Sequence, residues 1–450
     1  MRKLLASFLV LVLVVGAALA PTRVAAQNVQ FIRDAEIESI IRDYSTPIFK
    51  AAGLNPQAVD VYLIQDDSLN AFVAGGMNLF IHTGLLMETQ GPLQIMGVIA
   101  HEAGHIAGGH LAGRRQEVER TTAQMLASYL LGLGAAVATG RPEAAAAVIR
   151  GGQDIALKGL LKYSRTQESA ADQAAVRYMD QAGIPPRGML ETLKMLEGQE
   201  VLLASSQDPY LRTHPLSQDR MQALQRAVET SPHHGAPPPE GSVETFQRMR
   251  AKLIGFLRPL DKVLRAYPPE DDSLKGRYAR AIAFYRRPDL EKALPLIDGL
   301  IDGHPEDAYF HELKAQMLFE NGHAREALPH YQRAVELASQ SALLRLGLAR
   351  AQLETNDPEL NDVALGHLQR VINREPQNSF AWRLMAIAHG RNGDTGMSAL
   401  ALAESAISRG AAREAMEQAR RAGRLLDKDS PGWLRAQDIQ RVAQQRVQDG

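Results

Sequence analysis

The spacing of apolar residues divides the chain into a mixed N-terminal half and a helical C-terminal half. Residues 34–49 predict a helix. Three short segments predict strands, with a turn at Gly75-Gly76 between the last two: 59–64, 71–74 and 78–82. A further helix is predicted to follow Gly91-Pro92, which combines a helix breaker with a residue favoured in a first helical turn. The small sheet in front of this helix offers an edge with which an extended peptide can pair.

An internal repeat of 34 residues organises the chain from about residue 273 onward. Two series of alanines recur at this spacing, each with a last step of 37 residues: Ala281, Ala315, Ala349 and Ala386, and Ala293, Ala327 and Ala364. We assign the three extra residues to a loop at 355–362. Helices that cross at small residues with this period are typical of tetratricopeptide repeats, whose curved array binds protein segments on its concave face. Alanine-rich helices without a repeat would not give agreeing spacings.

Two further segments interrupt the N-terminal half. Residues 123–149 are rich in alanine, leucine and glycine and are too short and too interrupted to span a membrane comfortably. They predict either two packed helices or a flap that contacts a lipid surface or a partner. Residues 231–239 contain four prolines and a glycine and predict a loop that closes the first domain.

The N-terminus has the pattern of a secretory signal peptide. Two basic residues precede an apolar run at 4–20, and Val24-Ala25-Ala26 offers small residues for cleavage. We expect cleavage near Ala26 and export to the periplasm; an uncleaved membrane anchor is the alternative. The chain has no cysteine, so the fold depends on no disulfide and no lipoprotein anchor is available.

Charge and composition argue against nucleic acid as a partner and are typical of a folded, multidomain protein. The formal net charge is −1, and removal of the three basic residues of the signal peptide makes it −4. Without a basic excess, the chain is not expected to bind nucleic acid. A hydrophobic content of 45% is ample for packed cores, and the length suggests two or three domains.

The first candidate chemistry is the motif His101-Glu102-Ala103-Gly104-His105. Histidines four residues apart share one face of a helix, one turn apart, and can bind a single metal ion. The carboxylate of Glu102 between them can activate a metal-bound water. Two histidines on a solvated helix face are the alternative, because short motifs of this kind also arise by chance.

A second helix, predicted at 162–179, supplies two carboxylates on one face, Glu168 and Asp172. A hydrolytic zinc site needs three protein ligands, and Glu168 can be the third. Asp172 can then accept a hydrogen bond from a ligand histidine. Position 111 is a leucine, which excludes a third histidine at that spacing. His110 is left with either a supporting or a plain surface role.

The order of these motifs, followed by Thr213-His214-Pro215 and the helical repeats, resembles the M48 family of zinc metalloendopeptidases. Asn70-Ala71-Phe72 also matches the usual pattern of that family. The resemblance is closest to a periplasmic branch that carries tetratricopeptide repeats and acts in outer-membrane β-barrel assembly. It implies a mainly α (α+β) chain, with a zincin-like catalytic domain and small β-sheet followed by an α-solenoid. The predicted divisions are a signal peptide at 1–26, a metallopeptidase domain at 27–230, a linker and connecting helix at 231–272, and repeats at 273–450.

The resemblance also implies roles for the site residues and partners. His101, His105 and Glu168 would hold one Zn²⁺ per chain, and Glu102 and Asp172 would serve catalysis. His214 would lie at the active site, either donating to the oxyanion or closing zinc's open position. Unfolded or stalled outer-membrane proteins would be substrates, and the β-barrel assembly machinery a partner. An exported chaperone that acts mainly by binding, and a secreted degradative protease, are the competing functions.

Overall fold

The computed structural model describes residues 30–110, 165–197, 210–211 and 214–449. These residues are mainly helical and contain one small sheet, which confirms the predicted fold class. None of the described helices is both long enough and apolar enough to cross a membrane. The predictions for residues 1–26 and 123–149, and the position of Thr213, lie outside the described residues.

The sheet has four strands, one more than the sequence predicts. In chain order they are β1 (Phe31–Ile32), β2 (Asp60–Ile64), β3 (Ala71–Ala74) and β4 (Asn78–His82). The spatial order is β1–β2–β4–β3, with β2 parallel to β4 and both outer strands antiparallel to their neighbours. The predicted turn between β3 and β4 is present, and both of its glycines have positive φ angles, +59° and +101°.

The described residues of the N-terminal half also form six helices: α1 (Ala35–Ala51), α2 (Thr83–Glu88), α3 (Pro92–Ala107), α4 (165–181), α5 (Arg187–Met195) and α6 (Gln218–Glu229). They share one hydrophobic core with the inner face of the sheet, where Leu63, Leu79 and Ile81 are buried. Helix α3 crosses α5 at Gly97, where a Cβ atom would lie 2.5 Å from the Met189 nitrogen. Only glycine allows this approach, which fixes α3 in the middle of the core.

The segment after α6 joins the two halves of the molecule. A loop leads into α7 (Ser242–Leu257), which is followed by α8 (Leu260–Ala266). Phe246, Met249 and Leu253 on α7 belong to the core of the N-terminal half. Ala251 on the same helix packs with α8 and with the first repeat helix. Helix α7 is therefore part of both cores.

Ten helices follow and form five consecutive pairs: α9 (Leu274–Tyr285), α10 (Leu290–Gly303), α11 (Ala308–Glu320), α12 (Ala324–Leu337), α13 (Ala342–Glu354), α14 (Pro358–Arg374), α15 (Ser379–Arg391), α16 (Thr395–Ser408), α17 (Ala412–Leu425) and α18 (Pro431–Asp449). The alanines that define the repeat are all buried at helix crossings. The array of helical hairpins predicted from the 34-residue period is thus confirmed.

The placement of the three extra residues was predicted wrongly. Residues 358–362 belong to α14, which has 17 residues where α10 and α12 have 14, so the insertion lengthens a helix. Pro358 begins that helix after Asp357, whose side chain caps it. The tight turn before it is retained, because Asn356 adopts φ +54° at the position that Gly322 and Gly393 hold in neighbouring repeats.

The repeats contact the start of α1 and the adjoining helix α7. Arg33 pairs with Glu375 after the third helical pair at 2.8 Å, and Glu36 accepts a 2.7 Å hydrogen bond from Tyr278 in the first pair. Arg248 on α7 bridges Glu36 to Asp307 at the start of the second pair. The segment at 33–36 and α7 therefore together contact three successive helical pairs.

Buried charges dominate this junction. Lys252 on α7 is 1% exposed, and its Nζ atom lies 2.8 Å from Asp34, 3.2 Å from Glu36 and 3.9 Å from Glu312. With Asp307 there are four carboxylates against two cations, Lys252 and Arg248, an excess of two negative charges. Burial raises the pKa of Glu312 to about 7, although the attraction of Lys252 opposes the shift.

We predict that Glu312→Gln stabilises the protein at pH 8 and does so much less at pH 5. The carboxyl of Glu312 has a raised pKa in the folded state. The free energy of unfolding of the parent therefore falls as pH rises from 4.5 toward 7. Glutamine does not ionise and escapes that cost, which we expect to be about 1–2 kcal/mol. Urea unfolding of the variant, the parent and the exposed-site control Glu306→Gln at both pH values measures it. An equal difference at pH 5 and pH 8 would contradict the charge argument.

Candidate metal centre

Helix α3 carries His101, Glu102 and His105, and all three side chains are buried. The two histidines lie one turn apart on the face turned toward α4. A Cβ atom at Gly104 would lie 3.0 Å from the Ala171 Cα and carbonyl oxygen, so glycine lets the two helices come close. This contact brings Glu168, one turn before Ala171 on α4, against the histidine pair.

The side chains of the predicted ligands converge on one point. The Nε2 atoms of His101 and His105 are 3.1 Å apart, and the Glu168 carboxylate oxygens lie 3.3 Å and 3.2 Å from them. His214 joins the group through Nδ1, 3.3 Å from His101 Nε2 and 3.1 Å from Glu168. One ligand atom from each of the four residues lies within 4.8 Å of the others.

These distances fit a tetrahedral metal ion. Ligand bonds of about 2.0–2.1 Å place neighbouring ligand atoms roughly 3.3–3.4 Å apart at the corners of a tetrahedron. Five of the six pairs among the four side chains are 3.1–3.3 Å apart, close to that value. Imidazole nitrogens with one carboxylate are a donor set that suits zinc. The residues present therefore fit the ion that the sequence analysis predicts.

A second layer of contacts orients the histidines. Asp172 Oδ1 lies 2.9 Å from His101 Nδ1, the nitrogen that faces away from the cluster. His110 Nδ1 lies 2.9 Å from His105 Nδ1 in the same way. Of the two roles left open for His110, the structure therefore favours the supporting one. Contacts of this kind fix the ring orientation and the tautomer of a ligand histidine.

The carboxylate of Glu102 lies beside the cluster. Its Oε1 atom is 3.3 Å from His214 Nε2, and neither oxygen has a side-chain hydrogen-bond partner among the described residues. Strand β3 packs against α3, and the backbone of Val73 comes close to this carboxylate. A buried carboxylate that makes no side-chain hydrogen bond among the described residues, next to a strand edge, is placed to handle a proton.

Arg220 and Tyr210 are site residues that the sequence analysis misses. Arg220, in the first turn of α6, contacts both oxygens of Asp172 and lies 3.0 Å from Glu168. It also donates to the backbone carbonyls of His214 and Pro215. The ring of Tyr210 is buried, with its centroid 4.6 Å from that of His214. The buried pair of Glu168 and Asp172 indicates that a positively charged side chain must lie nearby. Their spacing in the sequence does not indicate which arginine or lysine it is.

Comparison with known proteins agrees with this geometry. The family model "Peptidase family M48" matches residues 32–228. Metalloprotease YcaL of Escherichia coli is 30% identical over 191 residues, which cover 40% of this chain and 67% of that protein. The chain belongs to peptidase family M48. The prediction that it is a metallopeptidase is thereby confirmed.

More of the chain is covered by a relative that also extends into the helical repeats. The β-barrel assembly-enhancing protease of Yersinia pestis is 26% identical over 358 residues, covering 76% of this chain and 70% of that protein. Two tetratricopeptide-repeat models match residues 278–342 and 318–387. Among solved structures, MamA covers 38% of this chain and 95% of its own at 13% identity and a TM-score of 0.29, a likeness too weak to support an argument.

In this M48 site the pKa values of the two histidines on helix α3 shift in opposite directions. Burial opposes the charged form of His101, but its contacts with Asp172 and Glu168 outweigh burial and raise its pKa to about 9. Burial lowers the pKa of His105 to about 4, against the contact with Glu168. His105 is therefore neutral at pH 7, the form in which imidazole binds a metal.

The pKa values of the three carboxyl groups at the site also shift in different directions. Burial raises the pKa of Glu102, and the nearby His214 and His101 only partly oppose it. For Asp172, burial is outweighed by Arg220, and its pKa falls to about 2. The pKa of Glu168 is also lowered, because the contacts with His214, His101 and His105 exceed the cost of burial. Glu168 and Asp172 thus remain charged, while Glu102 is the carboxyl shifted toward the working range of a base.

We predict that Arg220→Ala destabilises this M48 peptidase by about 3–5 kcal/mol, because it leaves two buried carboxylates without their cation. The exposed Arg226 on the same helix is the matched control, and Arg226→Ala should change stability by less than about 0.5 kcal/mol. Urea unfolding at pH 7 measures both variants. Equal effects of the two substitutions would show that the guanidinium of Arg220 is not needed to bury Glu168 and Asp172.

Proposed function

We propose that the chain is an exported, zinc-dependent endopeptidase that cleaves misassembled or unfolded envelope proteins. The proposal rests on one observation, the buried convergence of His101, His105 and Glu168 beside the buried carboxylate of Glu102. The name of the Yersinia pestis relative, and its coverage of most of this chain, point to the assembly of outer-membrane β-barrel proteins as the setting. Such proteins, unfolded or stalled, are the substrates we propose.

The roles of the residues follow from their positions. His101, His105 and Glu168 would hold the zinc, which when bound supplies a Lewis acid and lowers the pKa of a water molecule. Glu102 removes a proton from the attacking water and delivers it to the nitrogen of the leaving amine. Asp172 holds His101 through Nδ1, so that Nε2 stays turned toward the centre.

The edge of β3 is the proposed place for the substrate backbone. This strand is an outer strand of the sheet, and Val73 lies near Glu102. An extended peptide that adds to this edge gains main-chain hydrogen bonds. The scissile carbonyl of the bound peptide would then lie beside the carboxylate of Glu102. The arrangement favours unfolded segments over folded domains, because only an extended chain can pair along an edge.

His214 is proposed to be a latch. Its Nδ1 atom lies with the ligand atoms of the other three residues, and its Nε2 atom lies 3.3 Å from Glu102. In this position the imidazole takes the fourth corner of the site and also stands next to the base. An oxyanion donor would have to point toward substrate while leaving that corner open. The geometry therefore supports the latch over the donor.

The repeats and the N-terminus determine where the enzyme would act. The predicted signal peptide at 1–26 would export the chain to the periplasm, and the repeats would recruit partners there. We propose the outer-membrane β-barrel assembly machinery as one partner, and contact of residues 123–149 with the membrane surface. A chaperone that works mainly by binding is the second candidate, favoured by five helical pairs in an M48 chain.

We predict that two substitutions separate metal binding from chemistry. Glu168→Ala should weaken zinc retention by more than about tenfold, because it removes a ligand. Glu102→Gln should retain one zinc per chain and lose cleavage of an unfolded outer-membrane protein, because it removes the base. Elemental analysis after dialysis and a gel-based cleavage assay measure the two properties.

Glu191→Ala, an exposed site on α5, is the control for the metal measurement. Unchanged zinc retention in Glu168→Ala would exclude this residue as the third ligand. The same Glu102→Gln variant distinguishes the two functions in cells that lack the gene. Full complementation would assign the main role to binding, whereas failure with normal protein levels supports proteolysis.

We predict that His214→Ala raises basal cleavage of an unfolded substrate. An increase of roughly tenfold corresponds to a site that the latch closes about 90% of the time. An oxyanion donor would instead give a decrease on the order of 10²-fold. Initial rates at matched zinc content measure the effect, and a change within about twofold of the parent would remove both roles for His214.

A further inference from the structure

Several site residues surround the imidazole of His214. Its nitrogens lie beside carboxylates, Nδ1 3.1 Å from Glu168 and Nε2 3.3 Å from Glu102. The ring of His101 meets it edge-on, with the centroids 5.0 Å apart and the planes inclined by 78°. The ring of Tyr210 is closer to parallel, with the centroids 4.6 Å apart and the planes inclined by 31°. Of these neighbours, Tyr210 alone has no proposed role as a metal ligand or a base.

The local backbone brings the rings of Tyr210 and His214 together. The backbone N–H of His214 donates to the carbonyl of Tyr210 at 2.7 Å. This bond spans four residues, as in one turn of a helix, so the two side chains lie on the same side of the turn. Tyr210 is buried and belongs to the hydrophobic core of the N-terminal half. The core therefore holds the ring on which the imidazole packs.

A contact between two rings is strong enough to affect the proposed latch. The latch is an equilibrium between an imidazole at the fourth corner of the site and an imidazole turned away from it. Turning the imidazole away breaks its contact with Tyr210, because the core holds the tyrosine ring in place. Aromatic pairs at this separation contribute roughly two- to tenfold to an equilibrium constant, beyond the area that they bury.

We infer that Tyr210 is a positioning residue that holds the His214 latch closed through the contact between the two rings. The inference rests on the proposed endopeptidase function and on the proposed latch. It gives Tyr210 no contact with substrate or with zinc. The fraction of enzyme that is closed at rest is then set by a side chain outside the ligand set. Changing Tyr210 therefore alters the resting activity and leaves the ligands and Glu102 intact.

Substitutions at Tyr210 in the full, zinc-loaded chain test the inference. Tyr210→Leu removes the ring and keeps a large apolar side chain in the core. If the ring contact contributes about tenfold, a latch closed about 90% of the time becomes closed about half of the time. Basal cleavage of an unfolded substrate should then rise about fivefold. Tyr210→Phe keeps the ring and should bring the rate back toward that of the parent.

Tyr267→Leu is the matched control, because Tyr267 is also a buried tyrosine but packs with α7, α8 and α9. It should leave basal cleavage within about twofold of the parent, whereas a general loosening of the fold would raise cleavage here as well. Circular dichroism and urea unfolding verify the fold of each variant. Tyr210→Met, which also lacks a ring, replaces Tyr210→Leu if the leucine variant does not fold.

Two measurements separate positioning from a general structural effect. In the His214→Ala background, Tyr210→Leu should change the rate by less than about twofold, because no imidazole is left to hold. Acetohydroxamate, a small ligand for the open position, binds in proportion to the fraction of open sites. It should bind Tyr210→Leu about fivefold and His214→Ala about tenfold more tightly than the parent. Titration of the Co²⁺-loaded proteins, followed by visible absorption, measures this without any cleavage.

The inference is overturned if Tyr210→Leu cleaves at the rate of the parent, or if Tyr210→Phe raises the rate as much as Tyr210→Leu does. It is also overturned if Tyr210→Leu still raises the rate in the His214→Ala background. Each of these results leaves the proposed function standing, since the parent still cleaves. Unchanged cleavage and acetohydroxamate binding in His214→Ala would remove the latch and this inference with it. Absence of cleavage by both the zinc-loaded parent and His214→Ala would remove the proposed function.

Discussion

Two carboxylates buried one helical turn apart on α4 organise the site. Glu168 and Asp172 between them contact His101, His105, His214 and Arg220. Burial of two negative charges is costly unless every oxygen finds a positive or hydrogen-bonding partner. Each of these partners comes from α3, from the segment that leads into α6 or from the first turn of α6. Satisfying two side chains on one helix therefore fixes how three segments pack.

The junction between the peptidase half and the repeats is also built around a buried carboxylate with positively charged and hydrogen-bonding partners. Glu36 on α1 is buried against Arg248, Lys252 and Tyr278, and these contacts tie α1, α7 and α9 together. At the candidate metal centre, Glu168 and Asp172 bring the site side chains together. At the junction, Glu36 fixes the repeats to the peptidase half. The surface of the repeats at these contacts is therefore taken up within the chain, and another protein would have to be recruited by the surface that remains.

Features with a local period were predictable from the sequence. The HExxH motif, the four-residue spacing of Glu168 and Asp172, and the 34-residue alanine series are fixed by the geometry of a helix or of a helical hairpin. These are the features that the structure places as predicted. Strand β1 was missed because two residues are too few to show alternation, and α14 was misread because a proline and two asparagines also suit a loop.

Arg220 and Tyr210 could not be predicted for a different reason. Arg220 lies 48 residues from Asp172 in the sequence, and only the fold shows that it is the cation facing that carboxylate. The ring of Tyr210 lies against His214 just four residues away, but nothing in a polar, proline-containing segment indicates that the two rings stack. Partners of this kind are selected by tertiary packing, which no spacing rule encodes.

The way in which His214 is held constrains how a latch can open. Arg220 donates to the carbonyls of His214 and Pro215 while it pairs with Asp172 and Glu168. The backbone of His214, the proposed latch, is thus tied to the same carboxylates that organise the centre. A swing of the whole loop would remove the guanidinium's contacts with that backbone, whereas rotation of the imidazole about its own side-chain bonds would keep them. Rotation also clears Glu102 in the same step, because Nε2 is the atom beside it. We therefore expect opening to begin with the His214 side chain, and the loop to follow only if Arg220 releases it.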